Sequence, residues 1–474
     1  MGAVNYEHIR VNGYNIQSIK KMEIKNSINN HATLKLTGIL DHEDINDVYS
    51  ITNNKVIEVY YEDKGSKNTL FYGIVTNIHV SVDQEVYKID VEAKSMTYLL
   101  DIKVKSRSFQ DKSMPLKTII KNVMSDYSNS SYLLNLPDEA SGELIVQYEE
   151  TDWEFIKRIV SEYNKGLIAS TTSKSIQYSV GSQNHFKQLS LADTKFEIYK
   201  DLNEYKEMKE NFISGAKEED YLTYKVTDYG ILNLGDYINF QNKQLYVYES
   251  LYEIKDGILQ NTYKLREENG LNQKRLFNTK IIGSSIDGKI IGVQGELVQI
   301  HLEIDKSQST STAKWFKFST LSASSDGSGW YCMPEIGDSV KVYFPTKDED
   351  ESFAISAVSG YKQGASESED RMGNPDNKYL RTRNDKEVKL TPDGIAVSCD
   401  SGQADMKLSS DGTLTISSQN NINVTAKGNI KIEAKKSFKI SALESINIDC
   451  DKGGGLDFDK EGQIKEKGTQ VNNN

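Results

Sequence analysis

The sequence predicts a mainly β protein, assembled from successive modules and ending in an intertwined trimeric β-helix, or β-prism. Three observations lead there. An eight-residue repeat holds from Met406 to Cys450, short alternating segments with glycine turns fill most of the remainder, and only two stretches carry helical periodicity.

The repeat is the most specific signal. Met406, Leu414, Ile422, Ile430, Phe438 and Ile446 are spaced by eight. Two positions on come Leu408, Ile416, Val424, Ile432, Ile440 and Ile448, and two further on the small residues Ser410, Ser418, Ala426, Ala434, Ala442 and Cys450. Alternation within each octad describes a strand with one buried face, and the intervening residues are polar. An octad is too short to close a coil around its own core. A single chain would need roughly three such units per coil, so the run would make about two coils, short of what solenoids need. Three chains contributing one strand each per layer solve the problem, with the large residues on the axis. The alternatives are a short single-chain β-helix or a local meander.

The elements before the repeat follow in order. Residues 1–104 read as a first β-barrel: Val56–Tyr61 and Leu70–Val75 flank the turn Lys64-Gly65-Ser66, and Val86–Val91 alternates. Residues 105–192 read as a helical, α+β insert. Leu116, Ile119, Ile120, Val123 and Met124 form one apolar stripe after Pro115. A second helix starts at Thr151 with Glu154 three residues on, a capping box. It buries Phe155, Ile156, Ile159, Val160 and Tyr163, and Gly166 is its expected stop. Residues 193–275 return to strands, a second barrel, with Leu234-Gly235-Asp236 feeding an alternating run. The same Gly-Asp turn recurs at Gly337-Asp338. Residues 276–361, with turn glycines and short strands, fit an OB-like barrel. The acidic run Asp348–Glu351 reads there as a solvated loop. Residues 362–405 are a linker and the start of the prism, 406–450 the octad segment, and 451–474 a tip segment containing Gly453-Gly454-Gly455.

Composition narrows the function. A net charge of −12 and the absence of a basic face beside the aromatics argue against nucleic-acid binding, including the oligonucleotide reading that an OB-like barrel invites. No run of about 18 apolar residues offers a membrane span, and the first residues lack a signal-peptide pattern. Cys332, Cys399 and Cys450 form no CxxC, and Cys450 is expected to pack in a small-residue slot. The six histidines (His8, His31, His42, His79, His185, His301) all precede the repeat. No catalytic residue, metal site or cofactor is expected.

Several motifs resemble one family. Gln147-Tyr148-Glu149-Glu150-Thr151-Asp152-Trp153-Glu154-Phe155-Ile156-Lys157-Arg158-Ile159 is similar to the signature segment of VgrG and phage hub-spike proteins, as are Phe109-Gln110 and Leu70-Phe71-Tyr72-Gly73. Trp330, Pro334, Gly337 and Asp338 resemble the marks of the OB domain in those spikes, where they flag its final strands. Tyr148, Asp152 and Phe155 are the corresponding marks of the hub. The resemblance implies a non-enzymatic homotrimeric spike of a contractile injection system that pierces an envelope mechanically. It also implies docking on a hexameric, Hcp-like tube and on baseplate proteins, and a PAAR-like tip protein or effector as further partners. Assembly in the cytoplasm and delivery outside on contraction go with that role. The chain departs from phage octads in its glycine slot, which reads Gly412, Asn420, Gly428, Lys436 and Glu444. The stretch between Gly360 and Met406 leaves no room for an inserted lysozyme. A trimeric tail fibre or adhesin, and a cell-wall-degrading β-helical enzyme, are the alternatives. The first would need only a short anchor, and the second would need paired carboxylates that the octads do not supply.

Overall fold

The computed structural model describes residues 4–40, 55–182, 185–187, 195–356 and 373–470; His42 and the first part of the expected linker lie outside them. The chain is mainly β and divides into two compact units, Met1–Gly360 and Tyr361–Asn474.

In the first unit the two strand-rich stretches share one antiparallel sheet of 11 strands. Ile16–Ser27 from the first stretch pairs with Lys243–Lys255 from the second, Ile24 lying opposite Tyr252. A single apolar core spans both, from Leu34, Val59 and Phe71 to Leu245, Tyr252 and Tyr263. Alternation explains it: Thr33–Leu40 buries every second residue, Leu34, Leu36, Gly38 and Leu40, as a strand with one wet face should.

The insert forms a second core. Helix α1, Leu116–Met124, buries the whole expected stripe. Helix α2, Asp152–Val160, opens on the capping box: Thr151 Oγ1 accepts from the Glu154 N–H, and Glu154 Oε2 from the Thr151 N–H. Its stop differs from the expected Gly166. A 3-10 turn, Ser161–Tyr163, continues it, and Asn164 ends it in the left-handed region at φ 54°. Gly166 serves close packing instead, since a Cβ there would sit 2.3 Å from Ile28 Cγ2. A third helix, α3, Leu202–Asn211, lies in the stretch read as all strand. Asp201 caps it, and only Met208 is buried, so the polar sequence carries no apolar stripe to reveal it.

Five antiparallel strands form the OB-like sheet, in the order Trp315–Lys317, Leu297–Leu302, Ser285–Gln294, Ser339–Tyr343, Phe353–Ser356. A bridge between Phe318 and Ala354 brings the first and last strands together.

In the second unit a five-stranded antiparallel meander runs through Lys378–Arg381, Lys386–Thr391, Gly394–Cys399, Ala404–Ser409 and Leu414–Ser418. Within the single chain the first two octads lie side by side, where one strand per layer from each of three chains was expected. The Met406 and Leu414 octads pair with each other, Met406 opposite Ile416 and Leu408 opposite Leu414. The reason is a tight reversal at Asp411-Gly412, where Gly412 has φ +86° and Asp411 Oδ1 accepts the Thr413 N–H. Between Asn420 and Ser445 no strand forms. A three-stranded antiparallel sheet, Ile446–Asp449, Gly455–Phe458 and Ile464–Lys467, follows.

Candidate functional site

The signature segment lies on the strand Ile145–Thr151 and the start of α2. Successive side chains on a strand face opposite ways, and here the two ways are two cores. Leu144, Val146 and Tyr148 pack with the OB-like strands. Ile145 packs into the insert.

Asp152 is fully buried at the first turn of α2. Its carboxylate accepts from Lys105 Nζ at 2.6 Å, from Tyr127 Oη at 2.6 Å, from Gln147 Nε2 at 3.0 Å and from Arg107 Nη2. Lys105 and Arg107 come from the neighbouring strand Val104–Phe109, where a bulge between them shifts the register. The result is a carboxylate that can be buried because two cations and two neutral donors satisfy it. Phe155 is fully buried and stacks on Phe109 with ring centroids 5.9 Å apart.

One turn further on, Arg158 joins the insert to the OB-like module. Its guanidinium donates twice to Glu150 at 2.8 Å, once to Glu349 Oε1 at 3.0 Å and once to the Val146 carbonyl at 2.7 Å. Burial opposes its charge, but the hydrogen bonds to Glu150 and the fields of Glu349 and Glu150 hold it above the ordinary arginine value. Glu349 is pushed up by burial, which outweighs the opposing field of Arg158. Beside it Asp350 accepts from Lys112 at 2.6 Å, Lys314 at 2.8 Å and the Leu144 N–H at 3.1 Å. Burial works against that carboxylate's charge; these donors overcome it and lower its pKa to about 2. The acidic run Asp348–Glu351 is therefore no simple solvated loop: its two middle carboxylates hold two modules together. Ser108 adds two hydrogen bonds to Asp305, and Gln110 donates to the Ile300 carbonyl at 3.0 Å.

The OB-like marks lie in the loop and turn that lead into Ser339–Tyr343. Trp330 does not lie in a final strand. It sits in the loop before Ser339–Tyr343 and is about half exposed. Pro334 shares that loop. Gly337, at φ +97°, and Asp338 build the turn into Ser339–Tyr343, with Asp338 Oδ2 accepting the Glu335 N–H at 2.8 Å. Gly235-Asp236 repeats the device, with Gly235 at φ +81° and Asp236 Oδ2 accepting the Asn233 N–H at 2.8 Å.

One constellation invites a catalytic reading. His31 Nε2 lies 3.3 Å from Asp101 and its Nδ1 lies 2.8 Å from Thr97 Oγ1. Thr97 is fully buried and within 3.0 Å of Ser95 Oγ, so the hydroxyl cannot meet a substrate. Burial lowers the His31 pKa, against the raising influence of Asp101. Among the described residues no group of acidic, histidine or cysteine side chains is placed to hold a metal ion, and no helix is long and apolar enough to cross a membrane.

Residues 33–173, which contain the Asp152 cluster and Arg158 but not its partner Glu349, match the sequence model of the phage tail baseplate hub family. That stretch, under a third of the chain, is similar to the phage tail baseplate hub family. Solved structures agree on the fold. A type VI secretion component of E. coli, described as similar to T4 bacteriophage tail proteins, superposes with a TM-score of 0.51 at 12% identity over 73% of this chain and 98% of its own. The Francisella PdpA–VgrG complex in its half-lidded form gives a TM-score of 0.53 at 12% identity, over 86% of this chain and 87% of that one. No curated protein matches the sequence. Asp152 and Phe155 have a physical role in the matched stretch: they seat α2 against its neighbours.

Sequence reasoning missed Lys105, Arg107, Glu349 and Asp350, and, though Arg158 lies in the signature segment, it missed that residue's partners. Apart from Glu150, eight residues before Arg158, most of the charged partners lie tens to hundreds of residues away, and a charge in a polar stretch carries no local sign of burial.

Proposed function

We propose that this hub protein is the central spike of a contractile injection machine, a homotrimer that acts through shape and stiffness without catalysing a reaction. The observation that carries the reading is apolar surface that one chain cannot bury. In the meander, antiparallel partners place Ile395, Val397, Met406, Leu408, Leu414 and Ile416 on one face, and all are exposed, by 41% to 57%. Ile422, Val424, Ile430, Ile432, Phe438 and Ile440 are likewise exposed in the segment that forms no strand. Apolar faces this long mark contact surfaces, and extended backbone beside them needs hydrogen-bond partners. Strands from two further copies supply both.

In this reading the 11-stranded hub sheet, built from two strand-rich halves per chain, lets three chains offer six seats to a hexameric, Hcp-like tube and its baseplate. The octad segment leads when the sheath contracts and opens the target envelope by force. The particle is assembled in the cytoplasm and its spike is delivered outside. Light scattering of the purified chain tests the proposal. A mass about three times 53.5 kDa supports it, and a stable monomer at micromolar concentration overturns it.

A further inference from the structure

A strand that ends a ladder leaves a row of backbone N–H and C=O groups unpaired, and such a row recruits another strand unless something covers it. The last octad strand, Ile446–Asp449, is covered from within its own chain. Gly455–Phe458 folds back on it, Ile446 opposite Phe458 and Ile448 opposite Leu456. Ile464–Lys467 then adds a third strand, with Phe458 opposite Ile464 and Leu456 opposite Glu466. Both reversals are closed by hydrogen bonds: the Cys450 N–H donates to the Gly454 carbonyl at 2.9 Å, and Asp459 Oδ1 accepts the Gln463 N–H at 2.8 Å.

Directly opposed residues of an antiparallel pair share a face. Ile446, Ile448, Leu456, Phe458 and Ile464 therefore line one side, and the first two are the final large positions of the octads. Glu466 puts a charge on that same apolar side, at the outermost strand. Lys465 and Lys467 occupy the other side, and Lys465 pairs with Asp459 at 3.2 Å. Charged and inward-pointing residues on an edge strand oppose the addition of a further strand.

We infer that residues 451–467 are a built-in terminator of the octad ladder. They cover its far edge in every copy, and the apolar faces of three copies close on one another, so the ladder ends in charge instead of an open edge. A separate tip protein does not join this end by strand addition. The inference rests on the three-copy reading above.

Two variants test it. One ends at Cys450; the other is full length and carries Lys465→Thr, Glu466→Val and Lys467→Thr. Light scattering across a concentration series should give three copies of the unmodified chain throughout. Both variants should give three copies when dilute and shift toward six as concentration rises, by end-to-end pairing of uncovered edges. Hydrogen exchange should find the backbone amides of 446–449 protected in the unmodified chain and exchanging at least ten-fold faster in the variant ending at Cys450. Trimers of both variants that never associate end to end, or equal exchange at 446–449, would overturn the terminator and leave the trimer standing. A monomeric unmodified chain would remove both readings.

Discussion

Replacing Asp152 by Asn isolates the energetic centre of the hub. The carboxylate is fully buried, with two cations and two neutral donors around it. Removing one member of a buried charge pair costs about 3–5 kcal/mol, because the partner charge is left without compensation. Here the cations are not sealed: the Lys105 and Arg107 side chains are 18% and 21% exposed, and both keep Asp126 as a second acceptor. The expected loss is therefore lower, about 2–4 kcal/mol. Asp126→Asn is the control. That side chain is 48% exposed, so its loss should cost under about 1 kcal/mol. Urea unfolding followed by tryptophan emission suits the measurement, since Trp153 is buried beside the site whereas Trp315 and Trp330 are already 37% and 47% exposed in the folded chain. Equal shifts for the two variants, or a cost under about 1 kcal/mol for Asp152→Asn, would refute the view that the buried carboxylate holds the strand pair to α2.

Other outcomes follow from the same geometry. Burial raises Glu143, Glu162 and Glu349 above the ordinary 4.5. In the folded chain these acids hold protons that the unfolded chain has released, so their contribution to stability falls as pH rises from 4.5 through their folded values. Asp350 runs the other way: its contribution is present above 3.8 and is lost as pH falls through about 2. Glu143→Gln with Glu162→Gln should flatten the decline above pH 4.5 and leave the acid limb intact, as read by thermal melts across pH. Gly166→Ala forces a Cβ to within 2.3 Å of Ile28 Cγ2 and should destabilise the hub by about 1–3 kcal/mol, measured by the same urea transition. Gly412→Ala places a side chain at φ +86° and should cost about 1–2 kcal/mol, lowering the melting temperature of the octad unit without moving the hub transition. Ile432→Asp with Ile440→Asp should convert the oligomer to monomer by light scattering and leave hub unfolding unchanged.

What the sequence disclosed depended on periodicity. Helices α1 and α2 were legible because Leu116–Met124 and Phe155–Val160 present apolar stripes that the fold buries. Helix α3 was not, because LNEYKEMKEN buries only Met208. The octads disclosed which residues share a face but not which strand pairs with which. Eight is an even number, so Met406 and Ile416 lie on one face whether the chain winds onward or doubles back as it does. Long-range charge pairs such as Arg158 with Glu349 leave no local trace, which is why an acidic run read as loop proved to be a joint. The turns at Asp236 and Asp338 were legible in kind, since Gly-Asp before an alternating strand has few other uses.

The strand that carries Ile145 and Val146, with Leu144 just before it, has a consequence for how such proteins can diversify. Because its two faces complete two different cores, the hub insert and the OB-like module are not separable cassettes. A recombination joint placed between residues 275 and 276 would exchange one wall of the OB-like core while keeping a foreign opposite wall, with Arg158 facing whatever replaced Glu349. Viable exchanges between relatives should therefore carry residues 144–158 together with the OB-like module, or cross over beyond it.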